Sequence, residues 1–209
     1  MDILLDKAMR IIANNKNLNE DEQEIVRYGL ELFLIKTLFS FFALLIGIIL
    51  HSVVEYLVYT VLFSMIRTSA GGYHSKTRIQ CFIMSMLMFG IVFVLIKIAV
   101  QFSLVMHIII ILSMISFCII LITAPVDTAN RPIGDEERIH FKNKTKVILL
   151  FEVFVSVIAY LFKYPQICCS VLLTLITECI LLILGGLSNK KKHIWLYDLI
   201  RIIRFMLVQ

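Results

Sequence analysis

A histidine and a cysteine lie seven residues apart in a short polar segment between two long apolar stretches. The segment reads SAGGYHSKTRIQC at residues 69–81 and contains His74 and Cys81. A cysteine attacks as its thiolate, and a nearby imidazole promotes that form and can carry the proton. These residue types permit nucleophilic catalysis, although a lone His–Cys pair in a basic loop also occurs by chance in membrane proteins.

Helix geometry limits how this pair can be arranged. On one continuous helix His74 and Cys81 would share a face but lie about 10 Å apart along the axis, because each residue rises about 1.5 Å. A hydrogen bond needs a much shorter distance. The chain must therefore bend between them, or His74 must lie outside the helix that carries Cys81. Gly71 and Gly72 would permit such a turn, and we expect Cys81 in or just before the first turn of the next helix, where the dipole favours a thiolate.

The composition indicates a membrane protein. Of the 209 residues, 60% are hydrophobic, against about 45–50% in soluble domains. The N-terminus shows no signal-peptide pattern, so we expect the first membrane span to anchor the chain. Four of the five cysteines lie within apolar stretches and are expected to be inert small hydrophobes: Cys118, Cys168, Cys169 and Cys179.

The apolar stretches predict an all-α, polytopic membrane protein with about six transmembrane helices, since about 20 residues cross the hydrocarbon. The predicted spans are 30–50, 53–66, 81–100, 102–124, 146–162 and 167–186. We expect a single membrane-embedded domain over 1–209. Its three parts are an amphipathic segment at 1–28, the transmembrane helices within 30–186 and a tail at 187–209.

Basic residues predict the orientation, because cytoplasmic segments retain lysine and arginine. Most of the 20 lysines and arginines lie in the N-terminal segment, the 67–80 loop, the 125–146 loop and the tail. With six spans these four segments fall on one side of the membrane. Both termini are therefore expected to be cytoplasmic.

Two motifs stand out in the polar loops. The first is Arg67 followed by GGYH at 71–74 and by Cys81, and the second is APVDTANRPIG at 124–134. Together they resemble the motifs of the accessory gene regulator B (AgrB) family of membrane-embedded cysteine endopeptidases. The resemblance extends over essentially the whole chain, in its length, its several spans, its two basic loops and its amphipathic N-terminus.

The resemblance implies a function and a set of roles. AgrB proteins process a precursor peptide, AgrD, into a cyclic thiolactone or lactone autoinducing peptide used in quorum sensing by Gram-positive bacteria. On this sequence Cys81 would be the nucleophile and His74 its general base, with Arg67 and Gly72 at positions that the family needs and Gly71 supporting the turn. The expected partners are an AgrD-like precursor, the bilayer of a bacterial cell membrane and a second copy of the chain in a homodimer.

The family's precursors carry an acidic C-terminal tail, which basic residues on the inner face would attract. Lys76 and Arg78 are the expected contacts, although their charges equally serve to set the topology. We expect no cofactor, metal ion or nucleic-acid partner.

Other polar residues leave alternatives open. The oxyanion could be stabilised by the Gln80 side chain or by backbone amides near Cys81. A third residue could orient His74, and the candidates are Asp127, Glu152 and Glu178. For Glu178 a structural ion pair, with a lysine such as Lys36, is favoured over catalysis, since a charge inside a span is costly unless paired.

Two other classes of function remain open on the sequence. A peptide transporter or export component, or a non-catalytic membrane scaffold, would use the polar loop only as a connection. Neither discontinuous helices nor inverted repeats are visible in the sequence, which makes a transporter the less favoured alternative. Replacing Cys81 with alanine separates these classes from a peptidase.

Overall fold

Six long helices form the described part of the chain. The computed structural model describes residues 5–7, 9, 10, 12, 19–73, 77–126 and 134–188, and every structural statement concerns these residues. The helices are α1 (Glu20–Ile49), α2 (Val53–Ala70), α3 (Arg78–Gln101), α4 (Ser103–Thr123), α5 (Asp135–Leu161) and α6 (Pro165–Ser188). The described residues contain one isolated β-bridge and no strand, which confirms the predicted all-α class.

Five of the six helices are long and apolar enough to cross a membrane: α1, α2, α3, α4 and α6. The exception is α5, which has 27 residues but begins with the charged sequence DEERIHFKNKTK. Its apolar part is about 22 Å long, whereas the hydrocarbon core of a bilayer is about 30 Å thick. The predicted fifth span, at 146–162, is therefore a helix whose crossing of the bilayer stays a prediction. Large apolar side chains are exposed along all six helices, as expected where lipid surrounds the protein.

The N-terminal segment contacts the first helix. Asp6 pairs with Arg27 of α1 at 3.3 Å, and Leu5 is fully buried. Asn19 caps α1 and exchanges hydrogen bonds with Glu22, a capping box that satisfies two of the free amides at the start of the helix. The part of the predicted 1–28 segment after Asn19 is thus continuous with the first span. The predicted tail at 187–209 lies outside the described residues from 189 onward.

Helix α6 forms the centre of the bundle. In its membrane-spanning part 72% of the residues are buried, compared with 12% in α1. Two core clusters lie along it, one around Phe89, Phe93 and Leu172 and the other around Ile66, Ile120 and Leu182. α6 is rich in small and hydroxyl side chains, which allow neighbouring helices to approach closely.

Short connections close one end of the bundle. α3 and α4 are separated only by Phe102, as the predicted tight hairpin requires, and α5 and α6 are joined by residues 162–164. The longer connections, between α2 and α3 and between α4 and α5, meet at the other end through the Gly71–Val126 bridge. This second end is called here the loop end, and the described residues among those predicted to form the site lie there: Arg67, Gly71, Gly72, Gln80 and Cys81.

Candidate active site

Two glycines turn the chain away from α2. The helix ends at Ala70, and Gly71 and Gly72 follow with φ angles of 78° and 110°. Residues with a side chain rarely adopt such angles, whereas glycine does so at little cost. The next helix begins only at Arg78. The predicted break between the two apolar helices is confirmed, with the glycine pair at its start.

Arg67 holds the segment that follows this turn. Its side chain lies in the last turn of α2 and donates hydrogen bonds to the backbone carbonyls of Gly71 and Tyr73. The same guanidinium forms an ion pair with Glu178 of α6 at 3.6 Å. A planar guanidinium offers several donors in fixed directions, so one side chain can serve all three acceptors. Arg67 therefore connects the turn to the central helix.

The backbone of α6 supports the same three residues from the other side. The Tyr73 amide donates to the Leu181 carbonyl at 2.8 Å. A Cβ atom placed on Gly185 would lie 2.6 Å from the Tyr73 nitrogen and 2.6 Å from the Gly72 carbonyl carbon, closer than real Cβ atoms approach. Only glycine at this position of α6 leaves room for the segment 71–73.

The second loop meets the first at Val126. Its amide donates to the Ala70 carbonyl at 2.9 Å, and Val126 pairs with Gly71 in the isolated bridge. A Cβ on Gly71 would lie 2.5 Å from the Val126 carbonyl oxygen. The two sequence motifs are thus in direct backbone contact. The rest of the second motif, at 127–133, lies outside the described residues.

Cys81 is exposed in the first turn of α3. Thr77 caps this helix: its hydroxyl accepts from the Gln80 amide at 3.3 Å, and its carbonyl accepts from the Cys81 amide at 3.1 Å. The first turn contains no acidic residue. The position matches the expectation for Cys81, since a helix start and free access to solvent both suit a reactive thiol.

The other predicted site residues have different outcomes. Gln80 is exposed beside Cys81. The amides of Gln80 and Cys81 are both occupied by Thr77, and the choice between the Gln80 side chain and other backbone amides of this turn stays open. Arg78 begins α3, but its side chain is not described, and His74 and Lys76 lie outside the described residues. The pairing of His74 with Cys81 therefore stays a prediction.

The predicted partner of Glu178 is wrong. Lys36 is exposed on α1, whereas Glu178 is fully buried and pairs with Arg67. Sequence reasoning chose a lysine within a span because charges inside lipid need partners. The actual partner comes from the loop end of α2, since α6 reaches that end with its last turns. Two other carboxyl groups were candidates for orienting His74. Glu152 accepts a hydrogen bond from Thr174 at 2.9 Å, and Asp127 lies outside the described residues.

Two positions of α6 were missed by the sequence reasoning. Leu181 acts through its backbone carbonyl, which no side-chain pattern can reveal. Gly185 could have been noticed, because it lies seven residues after Glu178 and thus on the same helix face. A glycine pair near the end of an apolar helix is typical of close backbone contact.

The chain is similar to known proteins over most of its length. Residues 5–182 match the family model described as accessory gene regulator B. An AgrB-like protein of Clostridium perfringens is 29% identical over 159 residues, which cover 73% of this chain and 74% of that protein. The accessory gene regulator protein B of Staphylococcus intermedius is 27% identical over 150 residues, covering 70% of this chain and 76% of that protein.

A second staphylococcal protein gives the same picture. The accessory gene regulator protein B of Staphylococcus carnosus is 27% identical over 167 residues, covering 77% of this chain and 81% of that protein. No solved structure matches the chain. Because the family model spans well over half of the sequence and includes both loop motifs, the chain belongs to the accessory gene regulator B (AgrB) family.

Proposed function

We propose that the protein is a membrane-embedded cysteine endopeptidase that removes the C-terminal tail of an AgrD-like precursor and promotes cyclisation of the remaining peptide. Membership of the AgrB family connects the chain with accessory gene regulation and quorum sensing. The observation that carries the finer proposal is the exposed Cys81 thiol in the first turn of α3. It lies eight residues after Tyr73, the last residue of a segment held by α2 and α6.

The proposed chemistry has two steps. In the first, Cys81 transfers its proton to His74, and its thiolate attacks the carbonyl carbon of the scissile peptide bond. The C–N bond breaks, His74 returns the proton to the departing amine, and the precursor's acyl group remains on Cys81 as a thioester. In the second step, a thiol or hydroxyl within the bound precursor attacks this thioester and releases Cys81.

The energetics suit this route. When the internal group is a thiol, one thioester replaces another, so ring closure needs no ATP. Holding the internal nucleophile beside the acyl group converts a bimolecular step into an effectively unimolecular one, worth up to about 7–11 kcal/mol of barrier. Water must be kept from the thioester, or the intermediate hydrolyses.

Orientation and partners follow from the same proposal. The loop end, with Cys81, would face the cytoplasm together with both termini, where the precursor is made. Gln80 would donate to the oxyanion, and Lys76 and Arg78 would attract the acidic tail. A homodimer in the bacterial cell membrane is the proposed assembly.

The test is to co-express the protein with a short neighbouring reading frame that encodes a peptide with an amphipathic start and an acidic end. The masses of the resulting peptides are then measured. We expect loss of the C-terminal tail and a ring mass lower than the linear peptide by one water. Cys81→Ala and His74→Ala should each abolish both the loss of the tail and the formation of the ring. Cys118→Ala is the matched control, because Cys118 is also an exposed cysteine but lies within α4. An intact precursor with the unchanged protein would instead favour a transporter or a scaffold, and a Cys81→Ala protein that still cleaves would show that Cys81 is not the nucleophile.

A further inference from the structure

We propose that Glu178 is a positioning residue for this reaction: through Arg67 it holds the Gly71–Tyr73 segment in place and thereby sets where His74 begins. The inference rests on the proposed function, because it gives the central helix α6 a role in the placement of the general base. Glu178 itself touches neither the substrate nor the thiol.

Burial and hydrogen bonding set Glu178 apart from other buried acids. Its side chain is fully buried, and within the described residues neither carboxylate oxygen has a hydrogen-bond partner. Glu152 is equally buried but accepts a hydrogen bond from Thr174. A buried carboxylate without hydrogen bonds is costly. What Glu178 has instead is the Arg67 guanidinium at 3.6 Å.

The Arg67 guanidinium needs this charge in order to stay over the turn. The side chain is 18% exposed and sits at the loop end, so its long stem could also extend towards water. Glu178, which is fully buried, instead attracts the guanidinium towards the interior of the bundle. In this position the guanidinium reaches the carbonyls of Gly71 and Tyr73 together.

The same face of α6 fixes the segment a second time. Leu181 lies one turn after Glu178 and accepts from the Tyr73 amide at 2.8 Å, and Gly185 lies one turn further and leaves space for Gly72. Tyr73, held at both its amide and its carbonyl, is the residue immediately before His74. A shift of about 1 Å in a catalytic group can lower a rate about a hundredfold. Loss of Glu178 should therefore act on the general base.

The test compares full-length variants purified in detergent, with Glu31→Gln as the matched control, because Glu31 is a buried carboxyl group of α1 that pairs with Arg27. For Glu178→Gln we expect kcat for precursor cleavage to fall about tenfold to a hundredfold, with KM within about threefold. Glu31→Gln should keep both constants within about threefold, since its ion pair lies within α1. Equal kinetics in Glu178→Gln and the unchanged protein would overturn the inference.

A second readout does not depend on cleavage. The rate at which a water-soluble maleimide alkylates Cys81 is measured against pH, with the Cys81 peptide quantified by mass. An imidazole held near the thiol shapes this profile. The profile of Glu178→Gln should move towards that of His74→Ala, whereas Glu31→Gln should match the unchanged protein. A Glu178→Gln profile identical to the unchanged protein would count against the proposal.

Two Arg67 variants separate positioning from simple pairing of charges. Arg67→Lys keeps the charge opposite Glu178 but lacks the fork that reaches two carbonyls, so it should show the same kinetic loss even if Glu178→Gln fails to accumulate. The exchange Arg67→Glu with Glu178→Arg restores opposite charges but leaves no donor at position 67 for the two carbonyls, so its kcat should stay at least about tenfold below that of the unchanged protein. Full activity in Arg67→Lys or in the exchange would overturn the inference.

The two proposals fail in different ways. If Cys81→Ala or His74→Ala still cleaves the precursor, the proposed endopeptidase activity is wrong. If both variants are inactive while Glu178→Gln and Arg67→Lys behave like the unchanged protein, the endopeptidase activity stands and only the role of Glu178 is wrong.

Discussion

The two ends of the segment between α2 and α3 are held in opposite ways. Gly71–Tyr73, the docked half, is fixed by the Arg67 side chain, by the α6 backbone and by Val126. Thr77–Cys81, the exposed half, contains the cap of α3, and its described side chains are all exposed. In the proposed mechanism Cys81 must be reached by the substrate, whereas His74 must be aligned. The difference would let separate parts of one short segment supply accessibility and alignment.

The largest expected contrast is in thiol reactivity. Cys81 is exposed, whereas Cys169 is fully buried in α6. A thiol-specific, water-soluble reagent should modify Cys81 at least about a hundredfold faster, because Cys169 reacts only after local opening of the bundle. Peptide masses after timed labelling in detergent give both rates. Labelling of the two cysteines at similar rates would show that the exposed half is no more accessible than the core of the bundle.

A methyl group on α6 should disturb the docked half. Gly185→Ala places a Cβ 2.6 Å from the backbone of residues 72 and 73, so the helix or the segment must shift, at about 1–3 kcal/mol of folding free energy. Cleavage should fall together with the midpoint of thermal unfolding. The matched control is Gly90→Ala in α3, where a Cβ meets nothing within 4 Å and a gain of up to about 1 kcal/mol is expected. A fall in unfolding temperature as large in Gly90→Ala would contradict the close contact at Gly185.

A change in the exposed half should alter activity without altering stability. Gln80→Ala removes an exposed side chain, while the backbone amide of residue 80 keeps its bond to Thr77. If the side-chain amide stabilises the oxyanion, kcat should fall about tenfold while thermal unfolding stays unchanged. Unaltered kcat would assign the oxyanion to backbone donors, and a lower unfolding temperature would show that Gln80 supports the fold.

The smallest expected effect concerns charge near the thiol. Lys76→Ala and Arg78→Ala should each raise KM for an acidic precursor about threefold at low salt, and the difference should disappear at high salt because mobile ions screen such attraction. Lys97→Ala is the control, since Lys97 is an exposed cation near the opposite end of α3. Equal effects of all three changes would assign the attraction to net charge alone.

Several features of the site could be predicted from the sequence because they are local. The glycine pair predicted the turn after α2, and the polar segment before an apolar stretch predicted Cys81 at a helix start; both follow from backbone freedom and hydropathy. The ion pair of Glu178 could not be predicted in the same way. Residues 67 and 178 are distant along the chain, and nothing in the pattern favoured Arg67 over Lys36 as the partner.

The sequence by itself determined the all-α membrane class, the helix breaks and the two motifs that mark the AgrB family, because hydrophobic length, glycine and residue spacing act over short stretches of chain. Only the tertiary structure decided that α6 occupies the centre, that its face from Glu178 to Gly185 supports the segment before His74, and that the two loops meet at Val126. These contacts depend on which helices pack together. Helices of similar apolar character, such as α1 and α6, have different neighbours for reasons of shape and buried polarity that hydropathy does not record.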